Sequence, residues 1–517
     1  MDASGLFTVL GIFVAIITLI SEEKRQDFFI RASNSFWLSF FVLILVAIIL
    51  IYSSVISTIL GFEPFSYFWG FDEKTTVLTC VILMIVIFSY KLFGKRLPNR
   101  QYEKWSKLSS RLLREKKYHV LSYLLEKYLD QFLSIVNRET IYERFYSYIQ
   151  KNSRLTINES FQFPPIKVGK CRQIKFYLFE RIFSFLPEEI GYKPIIYKSI
   201  EKLVKSSGFL IYLVEVHPVI PLKLTSSPNF LRIDEFTDNF FKNLIAIKHS
   251  QLYRELKDNQ HFMFSTGYRI EPENFILDYY FANPDNAIKA QIWKPIGDYL
   301  CDFIKKQRGK DNYYNTYCES FSYTEEPWEC PIFVGVQFFD VMVKSAIYKK
   351  IDDHMWLMYY GYFIEEILKN IDRSQNSEVC QEFPLKFDYL VYNIVSNCSD
   401  WVCAANYIDE DYKNIISPIE EASYCLGTLC RKILQSINMS TSQKIYYLEI
   451  ALKAMDSLDK KNNKRLSVQI LHTLTREYKN GKQDGNLIWL EEIYSQVDHC
   501  LRLPGSTFSI EINKLKN

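Results

Sequence analysis

Two pairs of cysteines have the residue type of a metal site but not its spacing. Cys398 and Cys403 form one pair, and Cys425 and Cys430 form the other. Zinc knuckles usually place their thiolates about two to four residues apart. Here the members of each pair are five positions apart on a predicted helix, and a turn of about 100° per residue leaves them on different faces. The four thiols are therefore predicted to be small apolar core residues.

A second group of metal-ligand residue types lies between positions 352 and 366. It consists of Asp352, Asp353, His354, Glu365 and Glu366. The spacing favours a loop followed by the exposed edge of a helix over a set of converging ligands. We therefore predict no metal site, and no residue is predicted to be catalytic or to bind a cofactor.

Arginine and histidine occur three times with four to six residues between them. The pairs are Arg114 with His119, Arg254 with His261, and Arg465 with His472. This pattern resembles the site of HEPN-type ribonucleases, all-helical proteins in which the histidine acts on the RNA 2'-hydroxyl and the arginine steadies the phosphate. The resemblance implies a membrane-tethered ribonuclease as an alternative function, although Leu466 stands where that family usually has a polar residue. The competing interpretation is that each arginine is an ordinary surface charge and each histidine is hydrogen-bonded without a catalytic role.

The composition favours helices and gives no sign of a nucleotide site. Glycine and proline number only 17 each in 517 residues, while Leu, Ile, Lys, Glu and Tyr are abundant. Neither a G-x-G-x-x-G nor a G-x-x-x-x-G-K-[ST] stretch occurs in the chain. A mainly α-helical protein without a bound cofactor is predicted.

Three apolar runs lie near the N-terminus, at residues 5–20, 36–60 and 75–93. At 1.5 Å per residue they reach roughly 24, 37 and 28 Å, against a hydrocarbon core of about 30 Å. Residues 1–95 are therefore predicted to form three transmembrane helices, or a hairpin of two helices preceded by an interfacial helix. The first run lacks a basic n-region and a cleavage site, so it is not interpreted as a signal peptide.

The basic residues of the short connections predict the orientation in the membrane. Lys24, Arg25 and Arg31 follow the first run, Lys74 alone follows the second, and residues 95–107 are basic. This pattern predicts an N-terminus outside and a large C-terminal domain in the cytosol, held at the plasma or inner membrane. Eleven cysteines without a framework spacing also suit a reducing compartment.

Small or hydroxylated residues recur at helical spacing in the first two runs. They are Gly11 with Ala15, Ser53 with Ser57, and Ser54 with Thr58. Such residues permit close helix contacts and predict a homo-oligomer or a weakly polar pore face, with packing inside one subunit as the alternative. The aromatic-rich stretch 61–74 is expected at the headgroup boundary.

Residues 96–154 are predicted to form basic helices next to the membrane. Lys104, Lys107, Arg111 and Arg114 lie beside an apolar stripe, which predicts contact with anionic headgroups. The alternative is the ordinary surplus of positive charge on the inner side. Because no known binding module is recognised, nucleic acid is not an expected partner.

The remaining chain is divided into an irregular middle domain, 155–330, which is mixed or helical, and a C-terminal array, 331–517. In the middle domain, a short β element near 209–224 and a buried helix ending at Pro218 fit the apolar stretch almost equally well. The array is predicted to consist of paired antiparallel helices.

Seven helical segments are predicted in the array, with capping signals before two of them. The segments are 338–350, 356–371, 387–402, 418–436, 442–458, 465–478 and 487–501. Ser417, followed by Pro418 and Glu420, and Ser440, followed by Gln443, have the residue types of helix N-caps.

Together these patterns predict a non-enzymatic membrane protein. Its helical cytosolic domain would sense an unidentified cytosolic protein or ligand and pass that signal to the transmembrane helices. By architecture the chain resembles bacterial membrane-acting defence effectors, in which a cytosolic sensor triggers loss of membrane integrity. A membrane scaffold that recruits a cytosolic partner is the alternative, and a tethered HEPN-like ribonuclease is a further one.

Overall fold

The computed structural model describes most of the chain. The described residues are 3–60, 73–139, 143–145, 148, 191–231, 233, 235–259, 262–263, 267–309, 312–318, 321, 324–351, 357–373, 383–407, 418–475, 485–502 and 505–516. The predicted headgroup-boundary stretch 61–74 lies almost wholly outside these residues. Ser417 and the acidic loop around Asp353 also lie outside them.

The chain divides into two compact units, the first comprising Met1–Leu213 and Lys223–Ile233, and the second Val214–Leu222 and Asp234–Asn517. The helices up to residue 233 are α1 (Ala3–Leu19), α2 (Glu22–Arg31), α3 (Asn34–Ile51), α4 (Ser53–Leu60), α5 (Glu73–Phe93), α6 (Tyr102–Arg114), α7 (Tyr118–Asn137), α8 (Lys193–Val204), α9 (Ser207–Val216), α10 (Val219–Thr225) and α11 (Pro228–Leu231).

The second unit is almost wholly helical in its described part. Its helices are α12 (Phe236–Ala246), α13 (Gln251–Asp258), α14 (Phe275–Leu277), α15 (Pro284–Ala290), α16 (Trp293–Lys306), α17 (Pro331–Tyr348), α18 (Met358–Asn370), α19 (Lys386–Cys403), α20 (Pro418–Gln435), α21 (Thr441–Lys460), α22 (Lys464–Leu474), α23 (Gly485–Gln496) and α24 (Thr507–Lys516). A π-helical turn, Asp278–Ala282, continues α14. The only described sheet is a two-stranded antiparallel ribbon of β1 (Phe262–Met263) and β2 (Gly267–Tyr268). The prediction of a mainly α-helical protein is confirmed.

Two of the three predicted apolar runs form helices long and apolar enough to cross a membrane. These are α3 and the Lys74–Phe93 part of α5, whereas α1 is a shorter apolar helix of 17 residues. The second run, 36–60, is not one helix, because α3 ends at Ile51 and α4 begins at Ser53. Serine hydroxyls compete for backbone hydrogen bonds, and the break falls where serines enter the apolar run.

A third helix passes the same test of length and composition, and it lies far along the chain. This helix, α17, is 89% buried within the protein. Its interior also holds a charged pair, since Lys344 Nζ lies 3.1 Å from Asp340 Oδ2. We therefore assign α17 to the core of the second unit, where an apolar helix surrounded by other helices is expected.

The alternative of a β element near 209–224 is wrong. This stretch forms α9 and α10, which are bent by 113° relative to one another. Phe209, Leu213 and Val214 are each inaccessible to solvent, and tertiary packing of this kind can outweigh the strand preference of β-branched residues. The bend falls at Pro218, where a continuing helix would lack a backbone donor.

The predicted C-terminal helices are present with shifted ends. The first begins at Pro331, seven residues before the predicted start, because Cys330 caps it and Pro331 suits the first helical position. Ser440 and Gln443 form the predicted capping box, with each side chain bonded to the other residue's backbone N–H. Helix α20 lies very close to α22, and a Cβ added at Gly427 would lie 2.5 Å from the carbonyl oxygen of Ile470.

Candidate functional site

Three of the four cysteines singled out from the sequence lie in the core of the array, whereas Cys403 is only partly buried. Cys398, Cys425 and Cys430 are buried, and the Cys398 thiol donates to the carbonyl oxygen of Ala422 at 3.5 Å. Burial raises the pKa of Cys403 to about 11 and that of Cys430 to about 12, so both thiols keep their protons. No group of three metal-ligand residues converges anywhere in the described part of the chain.

The acidic candidates on α18 take part in ion pairs. Glu365 lies 2.8 Å from Lys369 and 2.7 Å from Lys432, and Glu366 lies 3.0 Å from Lys369. Hydrogen bonds from Lys369 and then Lys432 lower the pKa of Glu365 to about 2. These carboxylates stabilise contacts along α18 and between α18 and α20.

The structure places the arginine and histidine pairs in different surroundings. His119 is exposed and lies 3.8 Å from Glu23. Arg465 and His472 both lie on the exposed side of α22, and Arg465 pairs with Glu420 of α20. The third histidine, His261, lies outside the described residues.

A buried polar cluster in the first unit lies on the short helix α2, which connects α1 to α3. Acidic Glu22 and Glu23 occupy its first turn and Arg31 its last, the charge order that the helix dipole favours. Asp27, Phe28 and Arg31 are buried on one face, although a connection of ten polar-rich residues is expected to be exposed.

A single carboxylate joins α2 to α7. Asp27 accepts hydrogen bonds from Arg31 Nη2 at 2.5 Å, from Lys127 Nζ at 2.7 Å and from the Tyr128 hydroxyl. Burial, with the nearby charge of Asp27, raises the pKa of Tyr128, which keeps its hydroxyl a donor. The buried Asp27 carboxylate is therefore paired with two cations and hydrogen-bonded to a phenol, as a buried charge requires.

A single guanidinium joins α2 to the end of α5. Arg31 donates from Nη2 to the carbonyl oxygen of Leu92 at 2.9 Å, and from Nη1 to that of Gly94. Its Nε has no hydrogen-bond partner among the described residues, although the side chain is only 2% exposed. The orphan carbonyls at the C-terminus of α5 are thus satisfied by a residue from another connection.

Weaker polar contacts surround this buried pair. Lys117 Nζ lies 2.7 Å from Glu22, whose pKa it lowers through a hydrogen bond. Arg111 of α6 reaches Gln26 at 3.4 Å, and Lys104 reaches the carbonyl oxygen of Ala32 at 3.5 Å. Two of the four basic residues predicted to meet anionic headgroups therefore also contact α2 and the residue after it. We call α2 together with α6 and α7 the junction.

Comparison with known proteins gives no relative: no protein-family model, no curated protein and no solved structure matches this chain. The geometry of the junction is therefore the main guide to function.

The sequence held a signal for the junction that charge counting did not use. Charge counting uses Lys24, Arg25 and Arg31 only as basic residues that predict orientation. Asp27 lies four positions before Arg31, the spacing of an ion pair on one helical face. Its partners Lys127 and Tyr128 are 100 and 101 residues away and cannot be paired with it from one sequence.

Proposed function

We propose that this chain is a membrane-anchored, oligomeric protein whose helical cytosolic part senses a protein or ligand and signals through the junction to the membrane helices. The output we propose is a change in membrane integrity, as in the bacterial defence effectors that the chain resembles in architecture. The observation that carries this proposal is the buried Asp27–Arg31 pair, which ties the connection between α1 and α3 to both α5 and α7.

The junction supports the predicted crossing pattern. Helix α2 begins three residues after α1 ends and closes three residues before α3 begins, and Arg31 binds the end of α5. The end of α1, the start of α3 and the end of α5 therefore lie at one end of the helix bundle. The rings of Phe13 on α1 and Phe88 on α5 are 4.7 Å apart, as expected for helices that run side by side.

The outer surface of these helices supports a lipid environment. Large apolar side chains are exposed on all three helices, namely Phe7, Val14, Leu38, Phe41, Ile82 and Val86. A continuous apolar surface of this kind is unfavourable in water and is expected where lipid or another subunit covers it.

One stripe of α1 supports oligomerisation. Its exposed residues include five small side chains at spacings of three and four, namely Ser4, Thr8, Gly11, Ala15 and Thr18. The Thr8 and Thr18 hydroxyls donate to carbonyls of their own helix, which hides their polarity. No described residue lies within 4 Å of a Cβ added at Gly11, so the centre of this stripe is open to close approach by another helix.

The proposal is tested by weakening the junction and measuring membrane permeability. Lys127→Glu places a second carboxylate beside Asp27 and should change entry of an impermeant dye into expressing cells, compared with wild type. Lys95→Glu makes the same charge change at an exposed position after α5 and should leave dye entry as in wild type. Equal permeability for all three proteins, including when the cytosolic partner is engaged, would contradict the proposal.

The same experiment separates a sensor from a scaffold. A scaffold would retain a partner through residues 331–517 and would leave membrane permeability unchanged in every junction variant. A tethered ribonuclease would instead lose its effect in His472→Ala, because that side chain is exposed on α22 and available to a substrate.

A further inference from the structure

A crevice of about 650 Å³ opens between α1 and α5. Its long walls are apolar and include Ile12 and Ile16 from α1 and Ile85 and Phe88 from α5. This volume lies within the range of about 300–1,000 Å³ that is usual for sites of small ligands. The crevice is on the other side of α1 from the small-residue stripe, so an oligomer formed through that stripe leaves it accessible.

One end of the crevice is polar and belongs to the junction. Lys24 and Asp27 from α2, and Tyr123 and Lys127 from α7, complete its lining. The charge of Arg31 neutralises that of Asp27, so Lys24 and Lys127 leave this end with a surplus of positive charge. Lys127 uses one contact on Asp27 and, as an ammonium, has three donors, whereas Lys24 is exposed at the opening.

We infer that this crevice binds one anionic phospholipid, with an acyl chain between α1 and α5 and its phosphate at Lys24 and Lys127. An apolar slot with two cations at one end matches a molecule that has a long apolar tail and an anionic head. A lipid without net charge would leave the surplus positive charge at this end uncompensated, and a soluble anion would leave the apolar walls without an occupant. The inference rests on the membrane insertion that the proposed function includes.

The bound headgroup would share Lys127 with Asp27 and weaken the attraction between those two side chains. The lipid therefore has direct access to the ion pair that links α2 to α7, and its binding would loosen that link. The content of anionic lipid in the membrane would then set how readily the junction opens.

The test uses the full chain in nanodiscs of phosphatidylcholine mixed with equal parts of phosphatidylglycerol or of extra phosphatidylcholine. A photoactivatable phosphatidylglycerol is added in trace amount, and labelled peptides from α1 and α5 are quantified by mass spectrometry. We expect unlabelled phosphatidylglycerol to compete the label away and extra phosphatidylcholine not to do so. Competition by both lipids to the same extent would overturn the inference, since it would indicate only bulk lipid at the surface.

Two variants locate the site. Lys24→Gln removes a headgroup contact without disturbing the Asp27 pair and should lower labelling about tenfold, the loss of one charge-assisted hydrogen bond. Ser89→Trp fills the crevice and should abolish labelling, whereas Lys95→Gln and Thr79→Trp make matched changes outside the lining and should keep it. Labelling unchanged in both Lys24→Gln and Ser89→Trp would overturn the inference.

Failure of the underlying membrane insertion is recognised separately. In that case the chain would not enter nanodiscs and would be released from membranes by alkaline extraction. A chain that inserts but shows no crevice labelling contradicts the lipid site alone.

Discussion

Asp27 and Lys127 are 100 residues apart in the sequence, and their carboxylate and ammonium groups meet at 2.7 Å inside the first unit. This contact, with the Arg31 bonds to the end of α5, makes α2 a point where three parts of the chain are joined. Because Asp27 and Arg31 are each only 2% exposed, the loss of the Asp27 charge leaves the Arg31 guanidinium buried with only backbone carbonyl acceptors.

Asp27→Asn is therefore expected to destabilise the first unit by about 3 kcal/mol, within the range for breaking a buried ion pair. Arg31 would remain buried with its main anionic acceptor removed. Thermal unfolding of the purified chain in detergent measures this effect. The side chains of Glu22 and Lys117 are 30% and 41% exposed, so Glu22→Gln alters a pair that solvent partly screens and should change the unfolding temperature much less. Similar shifts for the two variants would contradict this description of the junction.

Gly427→Ala is expected to destabilise the second unit by about 1–3 kcal/mol, because the added methyl group would overlap the carbonyl oxygen of Ile470. Backbone of α22 would have to move away from α20. The control is Gly361→Ala on α18, where an added Cβ meets nothing within 4 Å and should raise helix stability by about 0.5–1 kcal/mol. Chemical denaturation of both variants tests the prediction, and loss of stability at both positions in equal measure would show that the α20–α22 contact is not as close as described.

Glu255 is expected to make the stability of the second unit depend on pH. It is 1% exposed, and burial raises its pKa to about 7, although backbone N–H groups of Leu277 and Ile276 and the side chain of Gln251 oppose that shift. Between about pH 4.5 and 7 the folded state holds a proton that the unfolded chain has released. Stability should therefore fall as pH rises through this window, by up to roughly 3 kcal/mol, and level off above it.

Glu255→Gln should remove this slope, because the amide does not titrate. Glu273→Gln changes an exposed carboxyl nearby and should keep the slope of the wild type. Unfolding temperatures of the full chain across this pH range give the comparison. The assignment to Glu255 is wrong if the Gln variant retains the wild-type slope.

Gly11→Leu is expected to weaken self-association, because the side chain would hold two copies of α1 apart at the small-residue stripe. Thr79→Leu adds similar bulk at an exposed position on α5 and should leave the assembly intact. Mass photometry or light scattering in detergent measures the number of copies. If both variants form the same assembly as wild type, the stripe is not the interface.

Sequence periodicity was sufficient for the helices whose packing is local. The helix Thr441–Lys460 begins at a capping box formed by Ser440 and Gln443. Because these residues are only three positions apart, the start of the helix could be predicted from the local sequence. The apolar character of α3 and α5 was equally plain. In contrast, α17 is long and apolar enough to cross a membrane, and its burial among other helices, together with the Asp340–Lys344 pair, shows that it is a core element.

The junction could not be predicted because its partners are distant in sequence. Asp27 has the same local signature as any exposed helical carboxylate, and its burial depends on where α7 lies. The strand alternative near residue 214 failed for a related reason, since β-branched residues fit a buried helix once Phe209 and Leu213 are packed on all sides.

The basic residues of the connections predict that the chain beyond α5 lies on the cytosolic side of the membrane and that residues 61–72 lie on the other side. Cys500 is exposed, so it can report the side on which the second unit lies. Intact cells expressing the chain with Ser66→Cys would be treated with an impermeant maleimide, before and after permeabilisation, and each labelled peptide identified by mass spectrometry. We predict labelling at position 66 in intact cells and at Cys500 only after permeabilisation. Labelling of Cys500 in intact cells would contradict the account.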